Sequence, residues 1–437
     1  MDSPIIEADI SYGSFNTFSP SIISAYSNNK YSILATLSNI SRDGDRTNSK
    51  FVNTNVFFSG QINASENSKI SLTGNIYNAK YGLPGSLLIP TLRDKQQDNN
   101  KYLKLDYDFS FDKNKSVSIN GYCSRDIMRN QSYLYSTDDR YTSDTYGFQT
   151  DFHYADVLLL GAEYWKECFQ DDSRKNCAVY SQLNYDIWKF RLIPSLRVDN
   201  NSVFGWVFTP ALSAIFNLND KVKFSANSGK VWRAPTFNDL YYPGLGNPDL
   251  KPEYGLSSDI GAEYSYGKIK LIATGFYINS KDLIRWDGTR SKNIAKTKQY
   301  GFEFEAGYIM NLLLSHKLNY TYLKAEDEST KKILEYTPEN TINYILNIKF
   351  TRNFTISAVV CYRSDLIGTR YYPDNSISVE TIDGFFTLDM NINYKLNENI
   401  DFWIKGFNLT NTNYQMFCDY PMPKLTVYAG INARVLR

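Results

Sequence analysis

Strict two-residue alternation runs through this chain. Between 385 and 394, Phe386, Leu388, Met390, Ile392 and Tyr394 fall on one face, and Phe385, Thr387, Asp389, Asn391 and Asn393 on the other. Successive side chains of a strand point to opposite sides, so this is a strand with one oily and one wet face. The pattern returns at 103–111, where Leu103, Leu105, Tyr107, Phe109 and Phe111 oppose Lys104, Asp106, Asp108 and Ser110. It returns again at 256–264 and 342–350.

The connectors alternate short with long. "SNNK" at 27, "DKNK" at 112, "NLNDK" at 217, "YGK" at 266, "TRN" at 351 and "LNEN" at 396 read as turns. Between them lie longer loops near 81–100, 128–144, 233–254, 326–338 and 410–424. Short turns at one end and long loops at the other are the arrangement of an outer-membrane barrel. At about 20 residues per strand and connector, the chain holds about 22 strands, with both termini on the periplasmic side. The expected fold is all-β: one transmembrane antiparallel β-barrel domain over 1–437. Lipid offers no hydrogen-bond partner, so such a sheet must close and leave no edge.

Composition agrees with strands and excludes spanning helices. No stretch approaches the roughly 18 apolar residues such a helix needs, and the densest, "VLLLGA" at 157–162, is far shorter. Tyr 35 and Phe 26 bring aromatics to 15%, enough for girdles at both interfaces with some left for lumen and loops. The net charge of +1 points to no nucleic-acid partner. "MDSPIIEADI" has neither the basic nor the apolar region of a secretory signal.

Five cysteines are an odd number. Cys168 and Cys177 flank "FQDDSRKN", read as a polar hairpin tip, and are the candidate disulfide. Cys123, Cys361 and Cys418 have no metal-like spacing. "RDGDRTN" at 42–48 offers Asp43 and Asp45 to a hard cation such as calcium, or forms a solvated acidic turn. His153 and His316 each fall in a strand and read as wall residues. Neither a G-x-S-x-G nor a histidine near a serine and an acid is present, so no enzyme is expected.

One stretch breaks the strand rhythm: "WRAPTFNDLYYPGLGNPDLKPE", 232–253. Pro248 and Pro252 fix their own φ and push Asn247 and Lys251 to extended conformations, which sets how the chain re-enters the wall. The stretch resembles the loop of TonB-dependent outer-membrane receptors, with Trp232, Arg233, Ala234 and Pro235 as one box and Asn247, Pro248, Leu250, Pro252 and Glu253 as the next. "GFYINSKDLIRW", "YGFEFEAGY", "LNYTYLKAE" and "GFNLTNTNYQMFCDYPMP" continue the resemblance in register from 220 to 437, and "ISYGSFNT" is similar to the family's first barrel strand. "VYAGINARVLR" resembles its assembly signal, without the terminal aromatic.

The resemblance implies a receptor for a large scarce nutrient, cobalamin first and an iron–siderophore as the alternative. It also implies a TonB-type energising complex, and a surface lipoprotein by analogy. Haem is disfavoured, because 236–246 holds no histidine. The family's N-terminal plug has no counterpart in these residues, so an ungated passive pore is the rival reading. Arg233, Tyr241, Tyr242, Trp286, Tyr371, Tyr372 and Tyr420 are the candidate ligand contacts; a structural part in setting how the chain re-enters the wall is the alternative for Arg233, and an interface-girdle position the alternative for each aromatic residue.

Overall fold

The computed structural model describes residues 4–242, 246–286 and 289–436. Gly244, part of the proline- and glycine-rich stretch, lies outside the described residues. The polypeptide closes on itself: the first strand, Ile5–Gly13, pairs antiparallel with the last, Thr426–Leu436, from Ile5 opposite Leu436 to Gly13 opposite Tyr428. The closed sheet has 23 hydrogen-bonded segments. They make 22 wall strands, because Asp172–Leu183 and Tyr185–Ile187 are successive parts of one strand, both pairing with Phe190–Asn201. Closure gives every wall strand a neighbour on each side, as a sheet in hydrocarbon requires.

The two faces follow the alternation. Leu103, Leu105, Ile260, Phe386 and Ile431 are outward and exposed, while Thr387, Asn176 and Asp199 are inward and buried. Soluble proteins rarely leave so continuous an apolar surface uncovered. A lipid-embedded outer face accounts for it. Trp188, Phe190, Phe216 and Phe224 stack near the short-turn end, with Phe190 and Phe216 4.5 Å apart. His316 lies outward beside Tyr308 and accepts from or donates to the Tyr344 hydroxyl at 2.7 Å. These are girdle positions, where amphipathic rings meet the interface.

The six predicted short turns all fall between wall strands at the end that holds both termini. Two expectations fail at the other end. The stretch 128–144 is not a long loop: Lys115–Ser132 and Thr137–Tyr154 stay paired up to Ser132 opposite Thr137, leaving a four-residue turn. Paired arginines and aspartates, such as Arg129 with Asp138 at 2.7 Å, made a tall hairpin look like a polar loop. Conversely, 364–384 is a long loop with its own hairpin, Leu366–Tyr371 against Ile377–Ile382, whose alternation hid it among the strands.

The disulfide expectation also fails. Leu158–Phe169 and Asp172–Leu183 turn through Gln170 and Asp171 alone, which sets Cys168 opposite Ser173 and Cys177 opposite Tyr164. Four residues of strand, roughly 13 Å, separate Cys177 from the position facing Cys168. Both are free thiols, far outside bridging distance.

Candidate functional site

The loop 234–252 folds inward and binds to the lumen wall. Thr236 caps a short helix, Phe237–Tyr241: its hydroxyl accepts from the Asp239 amide at 3.1 Å, and the Asp239 carboxylate accepts from the Thr236 amide at 3.0 Å. The helix buries Phe237 and Leu240. Phe237 stacks on Phe169 at 5.5 Å, and Tyr242 stacks on Tyr141 at 5.6 Å. Both wall rings are inward residues of strands distant in sequence.

Arg174 secures this contact. Its Nη1 donates to the Pro235 carbonyl at 2.8 Å, its Nη2 donates to Glu167 at 2.8 Å, and its guanidinium lies between the Trp165 and Phe237 rings. A planar cation suits such a slot, because it stacks and donates at once.

The descending half of the loop is held by the second box. Asn247, buried, donates from Nδ2 to the Ser291 carbonyl at 2.9 Å and accepts from the Asp249 amide at 3.2 Å. Lys251 exchanges backbone bonds with the Asn293 side chain, both at 2.9 Å. Pro235 and Leu250 are buried. Glu253 accepts from Arg233 Nε at 2.7 Å and from the Ile284 amide at 2.6 Å. Trp232 stands opposite Tyr254 on the outer face, and Ala234 follows Arg233 out of the wall. The boxes thus act first as loop anchors.

The sequence-predicted contacts separate into two groups. Arg233, Tyr241, Tyr242 and Trp286 belong to the loop just described and the strand beside it. Arg233 is engaged by Glu253, Tyr242 by Tyr141, and Trp286 is half exposed opposite Ser291. Tyr371, Tyr372 and Tyr420 belong to a second assembly of loops.

In that assembly Arg370 Nε donates to Asp419 at 3.0 Å, and the Leu87 amide donates to the Asp419 carbonyl at 2.9 Å. Tyr336 packs on Phe417 at 4.8 Å and donates from its hydroxyl to the Thr369 carbonyl at 3.0 Å. Burial pushes the Tyr336 phenol up to about 12 and raises the Cys418 thiol above its ordinary value. Arg46 reaches from 43–50 to the Gly85 carbonyl at 2.6 Å and lies over the Tyr420 ring. Tyr372 pairs its hydroxyl with Ser378 at 3.1 Å.

Two hollows open here and share Tyr414. One of about 330 Å³ is bordered by Arg42, Asp45, Asp389, Asn408 and Tyr428. The other, about 320 Å³, is bordered by Leu87, Asp383, Gln415 and Asp419. Asp43 accepts from Asn16 at 2.7 Å and stands 3.7 Å from Lys50. Among the described residues no three His, Cys, Asp or Glu side chains gather as a metal site.

A closed barrel of this strand number, with anchored loops at one end, matches a known family. The family profile described as TonB dependent receptor-like, beta-barrel, matches residues 9–411. The chain belongs to that family. Among curated relatives, the "Vitamin B12 transporter BtuB" of Photobacterium profundum is 26% identical over 400 residues, 87% of this chain and 64% of the relative. The chain therefore spans just under two thirds of that relative's length. Among solved structures, "Copper transporter OprC" superposes with a TM-score of 0.83 at 15% identity, covering 99% of this chain and 80% of the other. The siderophore receptor PirA from Acinetobacter baumannii gives 0.84 at 14% identity, with 99% and 80% covered. At such identities these structures speak for the fold alone.

Sequence reasoning missed Arg174, Trp165, Tyr141 and Phe169. Arg174 sits in "FQDDSRKN", read as a tip. Only the register, which puts Arg174 on the inner face opposite Glu167, reveals its place.

Proposed function

We propose that this chain is the barrel of an outer-membrane receptor for uptake of a large scarce nutrient, with cobalamin as the preferred ligand and an iron–siderophore as the alternative. One observation carries the reading: long loops at a single end, rich in tyrosine, are cross-tied into a mouth with two hollows that meet at Tyr414. Rigid amphipathic rings offer contact area at little entropic cost, which suits a bulky ligand. The name of the Photobacterium relative favours cobalamin.

In this reading the loop end faces the cell exterior and the termini face the periplasm. Outer-membrane lipid surrounds the wall, a TonB-type complex supplies energy through a plug, and a surface lipoprotein is a further partner over the loops. Calcium at Asp43 and Asp45 enters only with oxygens supplied by a bound ligand or partner, since Asp43 is already engaged by Asn16.

The test is equilibrium binding of cobalamin and of ferric catecholates to the folded chain, with uptake in cells lacking their own receptors. Saturable cobalamin binding that Tyr414→Ala weakens is expected. Binding of neither ligand, together with large ungated conductance in planar bilayers, would replace the receptor reading with a passive pore.

A further inference from the structure

An apolar hollow of about 540 Å³ lies on the outside of the barrel. It exists because Gly74 interrupts the outward row. On either side stand Phe58 and Leu103, its cross-strand neighbours, with Cys123 and Tyr146 continuing the row over the next two strands. A Cβ at Gly74 would meet nothing closer than Leu103 Cδ1 at 3.7 Å, so the groove is open space above the backbone rather than a tight backbone approach.

The groove changes chemistry along its length. Towards the loop end its border passes to Lys101 and Arg125, the latter paired with Asp144 at 2.6 Å. The same outward row continues from Tyr146 to Lys166 and then to Lys175. Lys166 and Lys175 stand directly opposite one another, and among the described residues neither has an acidic partner within ion-pair distance. Like charges facing each other across a strand pair repel unless an anion lies between them. Lys101 and Lys166 are three strand spacings apart across the sheet and two residues apart along it, roughly 16 Å in all.

We infer that this strip of outer wall binds one phosphorylated, multi-acyl glycolipid of the surrounding leaflet. An acyl chain occupies the groove over Gly74, one phosphate sits by Lys101, and a second is held between Lys166 and Lys175. A single-phosphate phospholipid headgroup is too narrow to span those cations. The site rests on the reading of the loop end as the exterior side, where lysines and arginines outside the apolar band meet headgroups instead of hydrocarbon.

The experiment is native mass spectrometry of the full chain in detergent micelles, titrated with a diphosphoryl, hexa-acyl disaccharide lipid and, separately, with phosphatidylglycerol. One diphosphoryl lipid should remain bound, at well below the concentration phosphatidylglycerol needs. Lys166→Glu with Lys175→Glu should weaken it roughly tenfold or more, and Gly74→Leu should weaken it comparably by filling the groove. The outward pair Lys281 and Lys296, opposed in the same way on another part of the wall, is the control: its double charge reversal should leave that bound lipid in place.

Equal retention of both lipids, or equal loss in the control, overturns the site. Labelling of Ser202→Cys at a loop-end turn on intact cells tests the orientation separately. A loop end closed to the reagent would sink that reading, whatever the micelle titration gives.

Discussion

Arg174, on the inner face of the wall, donates to the carbonyl of Pro235 at 2.8 Å, which ties a wall strand to a loop 61 residues further along the chain. The same guanidinium also bonds Glu167, its cross-strand neighbour, through its other Nη, so one buried cation serves wall and loop at once. Arg174→Ala removes one charge-assisted bond and one ring contact to the loop, about 2–3 kcal/mol of loop docking. Limited proteolysis should cleave 234–252 far faster in the variant, while urea unfolding of the wall changes little. A wall weakened as much as the loop would show that Arg174 chiefly serves Glu167.

At the seam, Trp403 lies over Gly430 of the last strand and donates from Nε1 to Asp9 of the first strand at 2.9 Å. A Cβ at Gly430 would come within 2.5 Å of that ring and 2.9 Å of Ser11. Gly430→Val should therefore displace the ring, with a cost of about 1–3 kcal/mol from overpacking plus the lost hydrogen bond. The readout is the fraction of unboiled protein that migrates as folded barrel on a gel, and Trp403→Ala in the same chain should recover part of it. No recovery would mean that the valine acts elsewhere.

The wall was readable in the sequence because each strand carries its own face pattern. Phe386 to Tyr394 needs no partner to declare which side is oily. The site was less readable, because it depends on register between distant strands. Nothing near Tyr242 in the chain announces that its ring meets Tyr141, and Glu253 meets the Ile284 amide only after two strands are aligned. Where strands run beyond the membrane they turn polar, so the Arg129–Asp138 hairpin resembled a loop. The loop hairpin Leu366–Tyr371 kept strand chemistry and went unnoticed.

Register also decides the thiols. With Cys168 facing Ser173 and Cys177 facing Tyr164, the chain isolated under oxidising conditions should retain both as titratable thiols, and reductant should leave its gel mobility unchanged. Cys168→Ser and Cys177→Ser should each alter stability within about 0.5 kcal/mol. Loss of a bridge would cost about 2–4 kcal/mol. An intact-mass deficit matching an oxidised pair would contradict the register itself.

Tyr336 gives the loop assembly a pH limit. Its phenol is half-buried beside Phe417 and donates to the Thr369 carbonyl, and this partial desolvation raises it from 10.0 to about 12. A group whose folded pKa lies above its unfolded one contributes in full below the unfolded value and loses that contribution as pH rises through the folded value. Contact among 328–339, 364–384 and 408–425 should therefore be intact through neutral pH and weaken between about pH 10 and 12. The difference in phenolate absorbance between the parent chain and Tyr336→Phe isolates this one ring. A midpoint near the ordinary tyrosine value would mean that the ring is solvated and the three loops are not tied together at Tyr336. Because the phenylalanine keeps the ring but not the hydroxyl, it should also remove the alkaline step from loop proteolysis without opening the assembly at pH 7.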